Sequence, residues 1–412
     1  MKKFNVEIAA PVGSFEGLMA AIQGGADSIY FGIDSLNLRS ASSFNFKLSD
    51  IKKISKICNN LGIKNYLTLN SIIYDEEIKK AKKIIDYSKD FINGIIVSDC
   101  SLLEYLKNLS LPVHLSTQLN ISNLESLKFF SQYCDVIVLA RELSLKQISF
   151  ISRQIKKHNI KGKSGNIIKL EVFIHGALCM SFSGKCFLSE HTHGKSANRG
   201  ECLQNCRRPY SIIDDQNNIF KLDNPYILSA KDLSTLSILD KIVKTSVSIL
   251  KIEGRGRSPE YVKTVVSTYK KALSLINNNS FDSISIQKLN EDLSSVYNRG
   301  YWTGHYLSEF VSDWNTDVSG SKSKVIKEYI GDVTNYFRKN SVVEIFVNNS
   351  QIVNNDKLLI IGNKTGVVEL KIAEIWFENS IILKAEKGNK ITLKCNEIVR
   401  KNDKVYKIVP RN

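Results

Sequence analysis

Cys179, Cys186, Cys202 and Cys206 fall in one stretch, EVFIHGALCMSFSGKCFLSEHTHGKSANRGECLQNCRRPY, with six, fifteen and three residues between successive thiols. Thiolates are soft ligands, and four of them on one flexible segment suit iron–sulfur or zinc coordination. Three glycines and many polar residues separate them, so the segment cannot order itself by burying apolar surface, and a bound metal centre would hold it. Structural zinc sites favour pairs about two to four residues apart, a spacing met only by Cys202 and Cys206. A 4Fe–4S cluster tolerates the wider gaps, and spacing alone leaves both 4Fe–4S and Zn open.

Disulfides fit less well. The N-terminus, MKKFNVEIAAPVGSF, does not read as a secretion signal, because Asn5, Glu7, Pro11 and Gly13 interrupt any apolar run. No stretch approaches the ~20 apolar residues of a membrane span. The expected setting is cytoplasmic, without a membrane partner, where cysteines are more often reduced or metal-bound.

Charge points to a polyanionic partner. Across 412 residues, 57 Lys and Arg face 41 Asp and Glu, a net charge of +16. Such an excess favours nucleic acid through phosphate contacts and counterion release. The same excess also follows from a Lys-, Ile- and Asn-rich composition with no selected partner.

The elements that must position these residues repeat. Eight apolar runs (VEIAAP, SIYFGI, NYLTLNSII, GIIVSD, VHLSTQLN, VIVLAREL, KLEVFIHG and SVSILKIEGR) alternate with amphipathic stretches such as LSDIKKISKICNNLG. That alternation predicts an α/β fold, a TIM-type (β/α)8 barrel, with the cysteine-rich insertion before the last strand. A doubly wound sheet is the runner-up, and no G-x-G-x-x-G follows the first strand to support it. The expected domains are a barrel over 1–276 with its insertion at 176–245, a helical or looped connector over 277–325, and a small antiparallel β-barrel over 326–412. Alternation in ITLKCNEIV places Cys395 in the core of that last part.

Functional side chains of such barrels sit at the C-terminal strand ends. That rule selects Arg39, Asn70, Asp99, Ser116, Gln118, Asn120, Arg141, Glu142, His175, Glu253 and Arg255. The substrate-binding set taken from it is Arg39, Asn70, Ser116, Gln118, Arg141, His175, Glu253 and Arg255. Several arginines round one mouth favour an anionic ligand. Each also has a structural reading, as hydrogen-bonded filling (Ser116 with Gln118) or as ion pairs (Arg141 with Glu142, Glu253 with Arg255). His191 and His193 read as exposed or supporting residues. Cys58 and Cys134 read as small buried residues, and Cys100 as a marginal pocket candidate. Gly254 and Gly256 offer a weak phosphate-cradle signal. No G-x-S-x-G or H-E-x-x-H marks a hydrolase.

The block EVFIHGALCMSFSGKCFLS, with EIAAPVGSFEGLMAAIQGGADSIYFG, LNLRSASSFNF, HLSTQLNISN, VLARELSL, NRGECLQNCRRPY and LKIEGRGRSPEYV, resembles the collagenase-like U32 peptidase family. Within it the chain looks most like the tRNA hydroxylation protein P group. The resemblance implies a TIM barrel with a 4Fe–4S centre on Cys179, Cys186 and Cys202. The fourth ligand is open: a Lys-Asp-Leu-Cys cysteine of some members is here Ser234 in AKDLS, which leaves Cys206 or an open site. It further implies 5-hydroxylation of the tRNA wobble uridine with a prephenate-like anionic metabolite as co-substrate, the C-terminal barrel gripping the tRNA. A homo-oligomer, or a hetero-oligomer with a paralogue, is left open. Rival readings are a U32-type peptidase, a hydroxylase of a ubiquinone precursor, and a metal-stabilised binding or assembly protein. No catalytic residue is assigned.

Overall fold

The computed structural model describes residues 3–41, 45–308 and 320–411. Parts of two sequence signals, the 42–44 portion of LNLRSASSFNF and the 309–319 portion of the connector, lie outside them. The eight apolar runs form eight parallel strands: β1 (Glu7–Val12), β2 (Ser28–Phe31), β3 (Lys64–Leu69), β4 (Gly94–Val97), β5 (Val113–Leu115), β6 (Val136–Val138), β7 (Lys169–Gly176) and β8 (Ile249–Ile252). Neighbours pair in chain order, and β8 pairs with both β7 and β1, which closes the barrel. Both faces of these strands are covered, so they read as continuous apolar runs instead of alternating ones.

The intervening helices are α1 (Phe15–Gln23), α2 (Ile51–Asn60), α3 (Asp75–Ser88), α4 (Cys100–Lys107), α5 (Leu124–Ser131) and α6 (Leu145–Lys157). Their buried positions follow the helical period. In α6 these are Ile148, Ile151, Ser152 and Ile155. Ser14, Asp99, Asn123 and Ser144 cap four of the helices through their side-chain oxygens. The insertion carries one short helix, α7 (Leu188–His193), and α8 (Leu239–Lys244) leads into β8. Beyond β8 lie α9 (Pro259–Asn277) and α10 (Ser283–Ser294).

The C-terminal residues form an eight-stranded antiparallel sheet from β9 (Val325–Phe337), β10 (Val342–Val347), β11 (Lys357–Gly362), β12 (Gly366–Lys371), β13 (Ile375–Phe377), β14 (Ser380–Ile382), β15 (Lys390–Lys394) and β16 (Lys404–Pro410). It wraps a second apolar core that includes Cys395. Leu359, Ile361 and Val367 join the main core instead. Gln23 of α1 bonds the backbone of Thr365 and Val367, and Lys263 of α9 bonds Val367, so the two parts are knit together.

Candidate active site

The C-terminal ends of the strands converge on one polar cavity. Arg39, Asn70, Ser116, Gln118, Arg141, Glu253 and Arg255 all line it, as the strand-end rule expects. Arg39 donates to Glu253 Oε1 at 2.9 Å. Arg255 is buried and donates to Thr68 Oγ1 at 2.9 Å. Arg141 donates to the Ala177 carbonyl at 3.1 Å and stacks on Phe173, with 4.0 Å to the ring centroid. Its Nε is buried without a hydrogen-bond partner among the described residues. Asn70 Nδ2 donates to Ser116 Oγ at 3.3 Å, and the Ser116 hydroxyl donates in turn to Gln118 Oε1. The hydroxyl–amide filling read from Ser116 and Gln118 therefore exists, and it opens on the cavity.

A cation at the bottom of this cavity was absent from the sequence-derived set. Lys251 on β8 lines it while nearly inaccessible, its Nζ 2.7 Å from Glu171 Oε1 and 4.4 Å above the Tyr30 ring. Glu171 also accepts from the His114 ring at 2.9 Å. Burial alone would raise the Glu171 pKa, but Lys251 and His114 outweigh it and hold it at about 2. Glu253 is likewise pushed up by burial but held below the usual carboxylate range by Arg39, Arg141 and Arg255. Arg255 is pushed down to about 10, mainly by burial and then by Arg39. Four cations thus face one carboxylate in the cavity wall, with Glu171 behind Lys251 as a second.

The insertion begins at Gly176, at φ +110°, where a Cβ would come within 2.4 Å of the Glu253 carbonyl. A side chain there would push β7 from β8 just where the chain turns off the barrel. The insertion is then tied back to the loops after β2 and β3. Arg199 pairs with Glu77, in the first turn of α3 just after the β3 loop, at 2.5 Å, and Ser40 Oγ donates to the Arg199 carbonyl, while within the insertion Asn198 accepts from the Cys186 N–H. Arg207 donates to the carbonyls of Leu178 and Ala230. So held, the segment brings Cys179, Cys186, Cys202 and Cys206 onto one cavity of about 320 Å³, all four as free thiols. The Cys206 pKa is raised, first by burial, with the other three cysteines adding to it. Arg39 and Glu253 line both this cavity and the mouth, and Cys179 reaches a third small one with Asn120, Arg141 and Glu142. Among the described residues no three His, Cys, Asp or Glu side chains are grouped as a single metal ion would need.

Other sequence candidates fall elsewhere. His175 is turned away from the mouth. The two-residue strand period puts it on one face with Glu171 and Phe173, but a bulge in the β7–β8 pairing sets it opposite Ile252. It lies against Tyr261 and Tyr269 of α9 and against Tyr301, with Nε2 unpartnered among the described residues. Burial drives its pKa to about 3, with Arg257 adding to the effect. Asp99 caps α4, Cys100 is exposed at its start, and His191 and His193 are exposed on α7. Ser234 is buried in a short strand antiparallel to β7 and does not line the cysteine cavity. Gly254 and Gly256 line that cavity, as do Gln204, Arg257 and Arg299, which the sequence reading did not select.

The family model described as "Peptidase family U32" matches residues 13–315. The chain belongs to the U32 family. A "Collagenase" of Porphyromonas gingivalis is 44% identical to this U32 chain over 407 residues, 98% of each protein. A "tRNA hydroxylation protein P1" of Bacillus subtilis is 31% identical over 349 residues, 82% of this chain and 79% of that protein. A 23S rRNA 5-hydroxycytidine synthase of Escherichia coli is 35% identical over 273 residues, 66% of this U32 chain and 40% of that protein. The family therefore contains relatives named for peptide hydrolysis and for RNA hydroxylation. No helix among the described residues is long and apolar enough to cross a membrane.

Proposed function

We propose that this chain is an RNA hydroxylase in which Cys179, Cys186, Cys202 and Cys206 hold a 4Fe–4S cluster, with the wobble uridine of tRNA as the favoured substrate. The observation that carries this reading is the adjacency of two cavities sharing Arg39 and Glu253, one lined by four free thiols and the other by four cations. Zinc would need its donors within about 2.3 Å of one point. The thiolates of a cluster sit on separate irons and stand further apart, which fits four thiols spread round one cavity. When bound, the cluster supplies the redox chemistry that no side chain here can.

The residues themselves bind and orient. Arg39, Arg141, Arg255 and Lys251 attract a small dianion, for which a prephenate-like dicarboxylate is the proposed co-substrate. The mouth cavity is about 40 Å³, room for little more than one or two waters. A metabolite must therefore extend past Arg39 into the larger cysteine cavity, and a base can present no more than its edge to the mouth. Glu253 fixes the Arg39 guanidinium for that role, and Glu171 with His114 fixes Lys251. Asn70, Ser116 and Gln118 offer amide and hydroxyl groups able to read the edge of an unstacked pyrimidine.

Nucleoside mass spectrometry of tRNA from a deletion strain tests the reading. Loss of 5-hydroxyuridine derivatives, restored by the wild-type gene, is the expected result, and an unchanged nucleoside profile would overturn it. A peptidase is the second reading, favoured by the 44% identity to a relative named collagenase. Against it, no cysteine thiol among the described residues is hydrogen-bonded to a histidine, the pair that activates such a nucleophile. Cleavage of gelatin by the anaerobically purified protein would favour that second reading.

A further inference from the structure

Cations and aromatic rings alternate across β9 and β16 of the C-terminal sheet. Tyr329 and Tyr406 are register partners, with ring centroids 5.9 Å apart in an edge-on arrangement. Lys327 Nζ lies 4.7 Å from the Tyr406 centroid, and Lys404 Nζ lies 5.7 Å from that of Tyr329. The result is a stripe in the order Lys327, Tyr406, Tyr329, Lys404. Glu260 of α9 anchors Lys327 at 2.8 Å and Asp332 anchors Lys404 at 2.6 Å. Each ammonium keeps further N–H donors beyond its anchor.

Lys327, Lys404 and Tyr406 line a groove of about 950 Å³ between this sheet and the barrel. Its other wall includes Phe15, Phe46 and the loop Arg255–Gly256–Arg257. That loop connects the three spaces: Arg255 also lines the mouth, and Gly256 and Arg257 also line the cysteine cavity. Glu16 and Asp50 line the groove too, so a polyanion entering it is directed toward the lysine stripe.

We infer that this groove seats the single-stranded RNA next to the target base, a base stacking on Tyr406 and phosphates lying against Lys327 and Lys404. The inference rests on the RNA reading given above. A base whose edge reaches the mouth must leave its stack, which leaves its neighbours unpaired outside. A groove lined by cations and half-buried aromatic rings is a surface that holds such nucleotides without reading their sequence.

The test measures binding of an unmodified anticodon stem–loop oligoribonucleotide to the full-length protein by fluorescence anisotropy over a salt series. For the variant Lys327→Ala/Lys404→Ala, the slope of log K against log salt should fall by about 1.4, at ~0.7 per lost single-strand contact. Tyr406→Ala should weaken binding about tenfold, and Tyr406→Phe should bind as wild type does. Thermal unfolding of each variant establishes that it is folded. Unchanged affinity and slope in folded variants would overturn the inference. So would a defect that appears with gelatin as the probe and not with RNA. Stripe-dependent RNA binding combined with unchanged nucleosides in the deletion strain would sink the hydroxylase reading and leave the groove standing.

Discussion

The two ends of the barrel handle charge in opposite ways. At the N-terminal end the carboxylates of Glu7 and Asp27 each have a cation and a further donor. Glu7 pairs with Lys64 at 2.6 Å and accepts from Tyr66, while Asp27 takes Lys270 and the Ile8 N–H. Lys163 there donates to three carbonyls, those of Leu106, Leu109 and Leu111. At the C-terminal end Arg39, Arg141, Lys251 and Arg255 outnumber Glu253 in the cavity wall. Packing so many like charges into one mouth costs stability. An excess of that kind makes physical sense where an anion is to be bound. The contrast supports the proposal that the C-terminal end takes an anion while the N-terminal end holds the structure.

Substitutions at each end break or sharpen this contrast. The largest effect is expected at the thiols. Cys206→Ser should lower hydroxylated nucleosides in a complemented deletion strain by at least about 100-fold, the upper end of what even outer partners of a metal cost. Cys134→Ala, buried near the N-terminal end, should leave them unchanged. Next comes Glu171→Gln, which leaves the Lys251 charge buried with one partner fewer. Breaking a buried pair costs about 3–5 kcal/mol, and urea denaturation should show a loss on that scale. A loss below about 1 kcal/mol would mean that Lys251 finds another partner.

The acid response separates two buried groups. His175 has a folded pKa of about 3 against an ordinary 6.5, so the unfolded chain binds a proton that the folded one refuses. Stability should fall as pH drops from about 6.5 toward 3, at up to about 1.4 kcal/mol per pH unit. In His175→Phe that slope should flatten. Glu171, whose folded pKa of about 2 lies below its ordinary 4.5, stabilises the fold fully above 4.5. That contribution disappears only as pH falls from 4.5 to 2, and Glu171→Gln should remove this lower part alone. The smallest effect belongs to the N-terminal end. Lys64→Met breaks a pair whose lysine is half exposed, and should cost less than about 1 kcal/mol with product levels unaltered.

The barrel was legible because strands buried on both faces appear as unbroken apolar runs, and all eight runs became strands. Most of the mouth was legible for a related reason: a strand end in a closed barrel has one place to point. His175 was misread because strand alternation assumes a regular pairing, and the β7–β8 bulge turns it outward. Lys251 and Glu171 were passed over although each left a sign, a charged residue inside a fully buried strand, ILKI and KLEVFIHG. Such a residue demands a buried partner, and each is the other's. The groove between the two sheets had no sequence signal, because Lys327 and Lys404 are far apart in the chain and join one stripe only through the register of β9 and β16.

Iron and acid-labile sulfide analysis of anaerobically purified protein tests the central claim most directly. The account predicts iron and sulfide in equal, cluster-level amounts in the wild type and a loss of both in Cys186→Ser. Stoichiometric zinc without sulfide, or iron that the substitution leaves in place, would contradict it.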